Sequence, residues 1–260
     1  GVETEPNTLN PQLNGQSKAE LILRVAYESL LARKADGSFV PWLAERYRVE
    51  DGGKRLHFTL RKDVHFSDGE KFNAHAVAEN FRHIQDPAYC AGSSLCALGG
   101  HIATVETPDD STLVITLKDA YSPFLSFAAG LKLISPKSWQ SPQLKSGGTD
   151  LAGTGPFILQ RYEKGQQIVY VKNKDYRWAS ANAAHQGPAW LDGVTYRFLP
   201  ESSVRTGALL SGQVDLIEGV SGNDAAEFKD NPDFSYQHAL NAGTPYSLFL
   251  NVEYGPTREQ

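Results

Sequence analysis

Two short runs set the pattern of the chain. Tyr47 and Val49 alternate with Arg46, Arg48 and Glu50, and Leu56, Phe58 and Leu60 alternate with His57, Thr59 and Arg61. Strict alternation buries one face of a strand. Both runs are therefore expected as strands of a hairpin, with Asp51-Gly52-Gly53 supplying the positive backbone angles of its turn. Asp68-Gly69 makes a second turn, after which the period changes. Ala74, Val77, Ala78, Phe81 and Ile84 recur at helical spacing behind Asn73, a good cap, until Asp86-Pro87 stops the run. Near the start, Ser17-Lys18-Ala19-Glu20 has the form of a capping box. It opens a helix predicted to run to Leu31, with Ile22, Val25, Ala26 and Ser29 on one face.

The same reading continues downstream. Residues 87–100 are rich in Gly, Ser, Ala and Leu and predict no regular helix. A hairpin is expected from Ile102–Glu106 and Thr112–Lys118, and a short helix from Phe124 to Ala129 behind Pro123. Leu131-Lys132-Leu133-Ile134-Ser135 reads as a strand ending at Pro136. Ser141–Thr154 is a polar connection, and Gly153-Thr154-Gly155-Pro156 offers the small residues that a sharp turn between domains needs. Phe157–Tyr162 and Ile168–Val171 form a further hairpin around Glu163-Lys164-Gly165. Then come a strand Val194–Leu199, a helix capped by Ser202 or Ser203 and ended by Gly212, a short buried strand Val214–Ile217, a helix turn Asp224–Phe228 and a strand Leu248–Val252. Two regions are expected, one continuous over 36–150 and one assembled from 1–35 and 151–260, in a mixed α/β fold.

Composition narrows the function classes. The chain has 260 residues, 40% of them hydrophobic, enough to fill real cores. With a net charge of −5 and no basic run, a nucleic-acid partner has no electrostatic support. No stretch approaches the roughly 20 apolar residues of a membrane helix, and residues 1–16 lack the build of a signal peptide. Both ends are expected to be cut. Cys90 and Cys96, the only cysteines, have no His at ligand spacing, so zinc is not expected and the metal set is read as none. A disulfide closing this short loop, worth roughly 2 kcal/mol, fits an exported protein. Two free thiols in a cytoplasmic protein are the alternative.

Catalytic chemistry is not legible. Ser93-Ser94 lacks the GxSxG elbow, Asp68 and Asp109-Asp110 sit in turns where carboxylates cap backbone NH groups, and the seven His residues never occur as HExxH. Gly153–Pro156 is no phosphate loop, because a strand follows it. No enzyme and no cofactor are expected.

One resemblance spans nearly the whole chain. It runs from Pro41-Trp42-Leu43-Ala44-Glu45 through Phe58–Gly69 into Phe72-Asn73-Ala74 and Phe81-Arg82. Pro108-Asp109-Asp110, Gly153–Phe157, Asn173-Lys174-Asp175-Tyr176 and Ala208–Asp215 follow in order. These motifs together resemble the family 5 extracellular solute-binding proteins, the peptide- and nickel-binding receptors of ABC importers. The resemblance implies a periplasmic-binding-protein-like two-lobe fold of type II, with the second lobe largely beyond Gln260. It implies a monomeric periplasmic or cell-surface receptor that binds a short peptide without covalent chemistry and passes it to a membrane permease. A nickel chelate is the alternative solute. A hydrolase on a borrowed fold, or a chaperone-like or adhesive surface protein, are the readings from other classes.

By the same resemblance the loop before the first helix lies at the cleft mouth, which puts forward Asn14, Gln16 and Ser17 as ligand contacts, together with Ser93, Ser94 and Leu95. Lys132 is the remaining candidate. It points away from Leu131 and Leu133, and stands where nickel-chelate relatives carry an Arg that reaches into the cleft. Lys cannot make the bidentate contact of Arg, and no aromatic residue lies between Cys90 and Gly100. Both departures favour the peptide, whose carboxylate Lys132 would bind. A solvated lysine on a sheet face is the plain alternative.

Overall fold

The computed structural model describes residues 1–91, 93–229 and 231–238. It divides into two units, Gly1–Gly219 and Val220–Gln260. Among the described residues the first unit holds three antiparallel sheets and two hydrophobic cores.

Helix α1, Ser17–Leu23, stops short of the predicted Leu31. The carbonyls of Val25 and Ala26 accept instead from the amides of Phe157 (3.0 Å) and Gly155 (2.9 Å). Backbone committed to a distant segment cannot also extend an i→i−4 ladder. Ser17 is not the cap either: Gln16 holds that position, without a side-chain capping bond. The strands β1, Leu31–Arg33, and β2, Phe39–Pro41, then form a small hairpin.

The alternating runs become β3, Ala44–Glu50, and β4, Arg55–Leu60, in register Tyr47↔Phe58 and Val49↔Leu56. All three turn residues have positive φ, including Asp51 at 51°. Asn73 caps α2, Ala74–His83, its side chain accepting from Ala76 N at 2.9 Å. The helix packs on β5, Ile102–Asp109, and β6, Thr112–Leu117, in a sheet ordered β3-β4-β6-β5. Phe58, Val77, Phe81, Ile84, Leu113 and Ile115, each fully buried, make the centre of the first core.

Residues 87–100 are more regular than their composition suggests. Asp86 and Pro87 end one helix and start the next: the Asp86 carboxylate accepts from Ala88 N at 2.9 Å and Pro87 fills the first position of α3, Pro87–Cys90. Ser93 caps α4, Ser94–Gly99. A disulfide joins Cys90 to Cys96 across the two helices.

After α5, Phe124–Gly130, the expected strand at 131–135 is extended chain outside any sheet. Its backbone groups are satisfied one by one, Leu133 N on the Glu28 carbonyl (3.0 Å), Ile134 N on the Asn80 side chain (3.0 Å) and Ser135 N on the Ala152 carbonyl (2.9 Å). No single neighbouring strand supplies those partners, so no ladder forms. The segment crosses between the cores: Leu133 belongs to the first and Ile134 to the second.

The second core lies on a sheet of β7, Phe157–Glu163, β8, Gln167–Lys172, and β9, Gly193–Arg197. Val2 pairs in parallel with Phe198 just past β9. Helix α6, Ser202–Leu210, takes Glu201 rather than Ser202 or Ser203 as its cap residue, and Gly212, with φ 71°, turns the chain after it. The expected buried strand at 214–217 is absent, and Leu216 is 71% exposed. That segment is held from its ends: the terminal amine of Gly1 donates to Leu216 O at 2.7 Å, and the buried Arg205 guanidinium donates to the carbonyls of Leu199, Pro200, Glu218 and Gly219.

In the second unit α7, Ala225–Lys229, buries Phe228, whose ring meets Phe234 edge-on at 5.2 Å. The strand expected at 248–252 lies outside the described residues.

Candidate functional site

The site begins with a buried set of amides. Asn80 on α2 is fully buried and meets Ile134 twice, accepting from its NH and donating to its carbonyl, each at 3.0 Å. One side chain thus imitates a neighbouring strand. The Asn80 oxygen also accepts from Gln12 Nε2 at 2.7 Å, and the same nitrogen donates to Lys132 O at 2.7 Å. Gln12 Oε1 accepts from the Tyr89 hydroxyl (3.1 Å), which accepts from Asn10 Nδ2 (3.0 Å). Four buried polar residues, from the segments 10–12 and 80–89, fix the backbone at Lys132 O and at Ile134. Satisfied buried networks of this kind specify one geometry. Replacing Asn80 by Ala is expected to cost about 2 kcal/mol, since both Ile134 groups and one Gln12 donor lose their partner. Urea denaturation measures this, and an unchanged midpoint would contradict the role given to the amide.

Lys132 itself is 12% exposed at the side chain, with its Nζ 3.1 Å from a Glu20 oxygen and 5.7 Å from the centroid of the Trp42 ring. It lies between two buried leucines, Leu131 and Leu133. Asn14 and Gln16 hold their own loop. Asn14 donates to Thr8 O and accepts from Gln16 N, while Gln16 Oε1 accepts from Asn7 N at 2.7 Å. Ser17 is exposed at the first position of α1, the helix that carries Glu20. The loop and Lys132 therefore share a wall, joined through Gln12.

Ser93, Ser94 and Leu95 stand on or beside α4. The Ser93 hydroxyl accepts from Leu95 N, Ser94 is exposed, and Leu95 packs on the first core. Tyr89, next to the disulfide at Cys90, ties this region to Gln12. Glu20, Trp42, Gln12 and Asn80 also belong to this wall and are not among the residues put forward from sequence. Of these only Trp42, which lies in the Pro41–Glu45 motif, carries a sequence signal.

A second polar centre lies under the crossing between the cores. Glu28 is fully buried and accepts from Tyr176 OH (2.5 Å), Thr154 Oγ1 (2.9 Å) and Trp178 Nε1 (3.1 Å). Burial pushes its carboxyl up to about 8, against the opposing pull of those donors. A lone carboxylate inside Val25-Ala26-Tyr27-Glu28-Ser29-Leu30-Leu31 was the signal that could have found it.

The turn carboxylates are occupied. Asp109 accepts from Ser111 N at 2.8 Å, Asp68 from Glu70 N at 3.0 Å and from the Ser135 hydroxyl at 2.5 Å, and Asp110 pairs with Lys71. Among the described residues no cluster of His, Cys, Asp and Glu could hold a metal ion, and no helix is long and apolar enough to cross a membrane.

Residues 38–260 match the model of the bacterial extracellular solute-binding proteins, family 5 middle. The nickel-binding periplasmic protein of Escherichia coli is 34% identical over 96% of this chain and 47% of its own length. Two solved structures share the fold. The periplasmic binding protein AgaA of A. tumefaciens, in complex with agropinic acid, has a TM-score of 0.78 and 27% identity over 89% of this chain and 45% of its own. The DppA protein of Helicobacter pylori, in complex with the peptide STSA, has a TM-score of 0.75 and 25% identity over 89% and 48%. The chain spans about half the length of the curated relatives it matches.

Proposed function

The chain belongs to the bacterial extracellular solute-binding proteins of family 5, and on that premise we propose that it is part of the solute-binding component of an ABC importer. The receptor works in the periplasm or at the cell surface as a monomer and hands a small solute to a membrane permease. It breaks no bond. The observation that carries this reading is Lys132, a nearly buried cation whose backbone is fixed by Gln12 and flanked by the Asn80 amide, with its ammonium beside Trp42. A cation held so rigidly on a wall is suited to receive a carboxylate.

We propose a short peptide as the solute, its carboxylate on Lys132 and its flanks near Ser17, Ser93, Ser94 and Leu95, with Asn14 and Gln16 shaping the loop. The two regions of this reading, 36–150 and 1–35 plus 151–260, do not coincide with the two cores, since Leu30, Leu31, Tyr176 and Trp178 join the first core and Ile134 the second. A nickel chelate is the second reading, favoured by the 34% identity to a nickel-binding protein. It too can offer carboxylates to Lys132, although a lysine gives one point contact where a guanidinium gives two. Native mass spectrometry of the protein purified without refolding separates these. A ladder of peptide masses is expected. A single nickel-containing adduct would move the assignment to the chelate, and turnover of peptide or ester substrates would overturn the receptor reading.

A further inference from the structure

We propose that Glu20 is the resident counter-ion of Lys132 and is released from it when solute binds, so that this wall selects solutes carrying both a carboxylate and a cationic nitrogen. The inference rests on the reading of Lys132 as the cation that receives the solute carboxylate. It goes beyond that reading in assigning the selection to Glu20.

The two members of the pair are anchored very differently. Lys132 is fixed at its carbonyl by Gln12, and the next two residues are fixed at Leu133 N by the Glu28 carbonyl and at Ile134 by Asn80. Its stem is buried, and only 12% of the side chain meets solvent. Glu20 rides on a helix of seven residues without a side-chain cap, is 53% exposed, and among the described residues pairs with no side chain but Lys132. When the pair opens, Glu20 is the member that moves.

The electrostatics then set the solute. An ammonium has three donors, and Glu20 is the one acidic side chain Lys132 pairs with among the described residues. A carboxylate arriving at Nζ meets the Glu20 carboxylate already there, and two like charges sharing one cation repel. A solute that brings only a carboxylate leaves Glu20 facing it unpaired. A solute with a cationic nitrogen a few bonds away replaces the one pair with two: its carboxylate on Lys132 and its nitrogen on Glu20. The Trp42 ring lies beside that exchange, its centroid 5.7 Å from Nζ.

The test compares L-alanyl-L-alanine with its N-acetyl derivative by titration calorimetry. Wild-type protein is expected to bind the free dipeptide about tenfold more tightly, the scale of one such charge pair. Glu20→Gln is expected to bring the two within about twofold by raising affinity for the acetylated form, with Glu20→Ala repeating the result, while Lys132→Gln weakens both probes. Equal affinities in wild type, or the same preference in wild type and Glu20→Gln, would overturn the role of Glu20 and leave the receptor reading standing if Lys132→Gln still weakens binding. No binding of either probe or of nickel–histidine by wild type would overturn the reading of Lys132, and this inference with it.

Discussion

Between pH 4.5 and about 8 the folded protein is expected to lose stability on the order of 5 kcal/mol through Glu28 alone, and Glu28→Gln is expected to abolish that loss. The sign follows from the direction of the shift. Burial raises the folded carboxyl from 4.5 to about 8, so in this window the native state holds a proton that the unfolded chain has released. Stability from this group is fully present below pH 4.5 and is lost as pH rises through the folded value, by roughly 1.4 kcal/mol per unit. Glutamine keeps a neutral oxygen for Thr154 and Trp178, and the Tyr176 hydroxyl can rotate to accept from its nitrogen.

His83 works the other way. Desolvation against the Trp139 ring, stacked at 3.8 Å, lowers its value, so its contribution is lost as pH falls. The informative quantity is therefore the difference between wild type and Glu28→Gln in urea midpoints measured across pH. Parallel profiles would show that Glu28 does not titrate in this window. Because Glu28 O also holds Leu133 N beside Lys132, the alkaline loosening is expected to reach the binding wall.

The second large effect is expected at Gly153 and Gly155. A Cβ on Gly153 would lie 2.1 Å from the Ala26 carbonyl oxygen, and one on Gly155 2.5 Å from that of Val25. Both obstacles are backbone, and Gly155 N donates to Ala26 O at 2.9 Å, so neither segment can withdraw without breaking that bond. Gly153→Val and Gly155→Val are each expected to cost about 4 kcal/mol, read as a fall in thermal midpoint. Gly165, with φ 75° and open space around it, is the control, and Gly165→Ala is expected to cost only about 1 kcal/mol. Equal losses at all three would contradict close backbone approach as the reason for glycine at 153 and 155. From sequence, the glycines of Gly153–Pro156 predict a sharp turn. Neither has a positive φ, and their smallness serves instead to let two backbones touch.

What the sequence determined by itself is the set of elements whose partners are near in the chain. The β3–β4, β5–β6 and β7–β8 hairpins and the Asn73-capped α2 could be read because alternation, turn chemistry and capping act over a few residues. The colinear motifs likewise carried the family. Tertiary structure alone decided the rest. α1 ends at Leu23 because Val25 and Ala26 bond to 155–157, and 131–135 is no strand because its partners are Glu28, Asn80 and Ala152, each from a different part of the chain. The binding wall obeys the same physics. Lys132 was visible as a lone cation between leucines, but Glu20, Trp42, Gln12 and Asn80 converge on it from positions 52 to 120 residues away, as numbering shows, and no local pattern encodes such a meeting. Only packing, which places a buried amide where it must find a partner, brings them together.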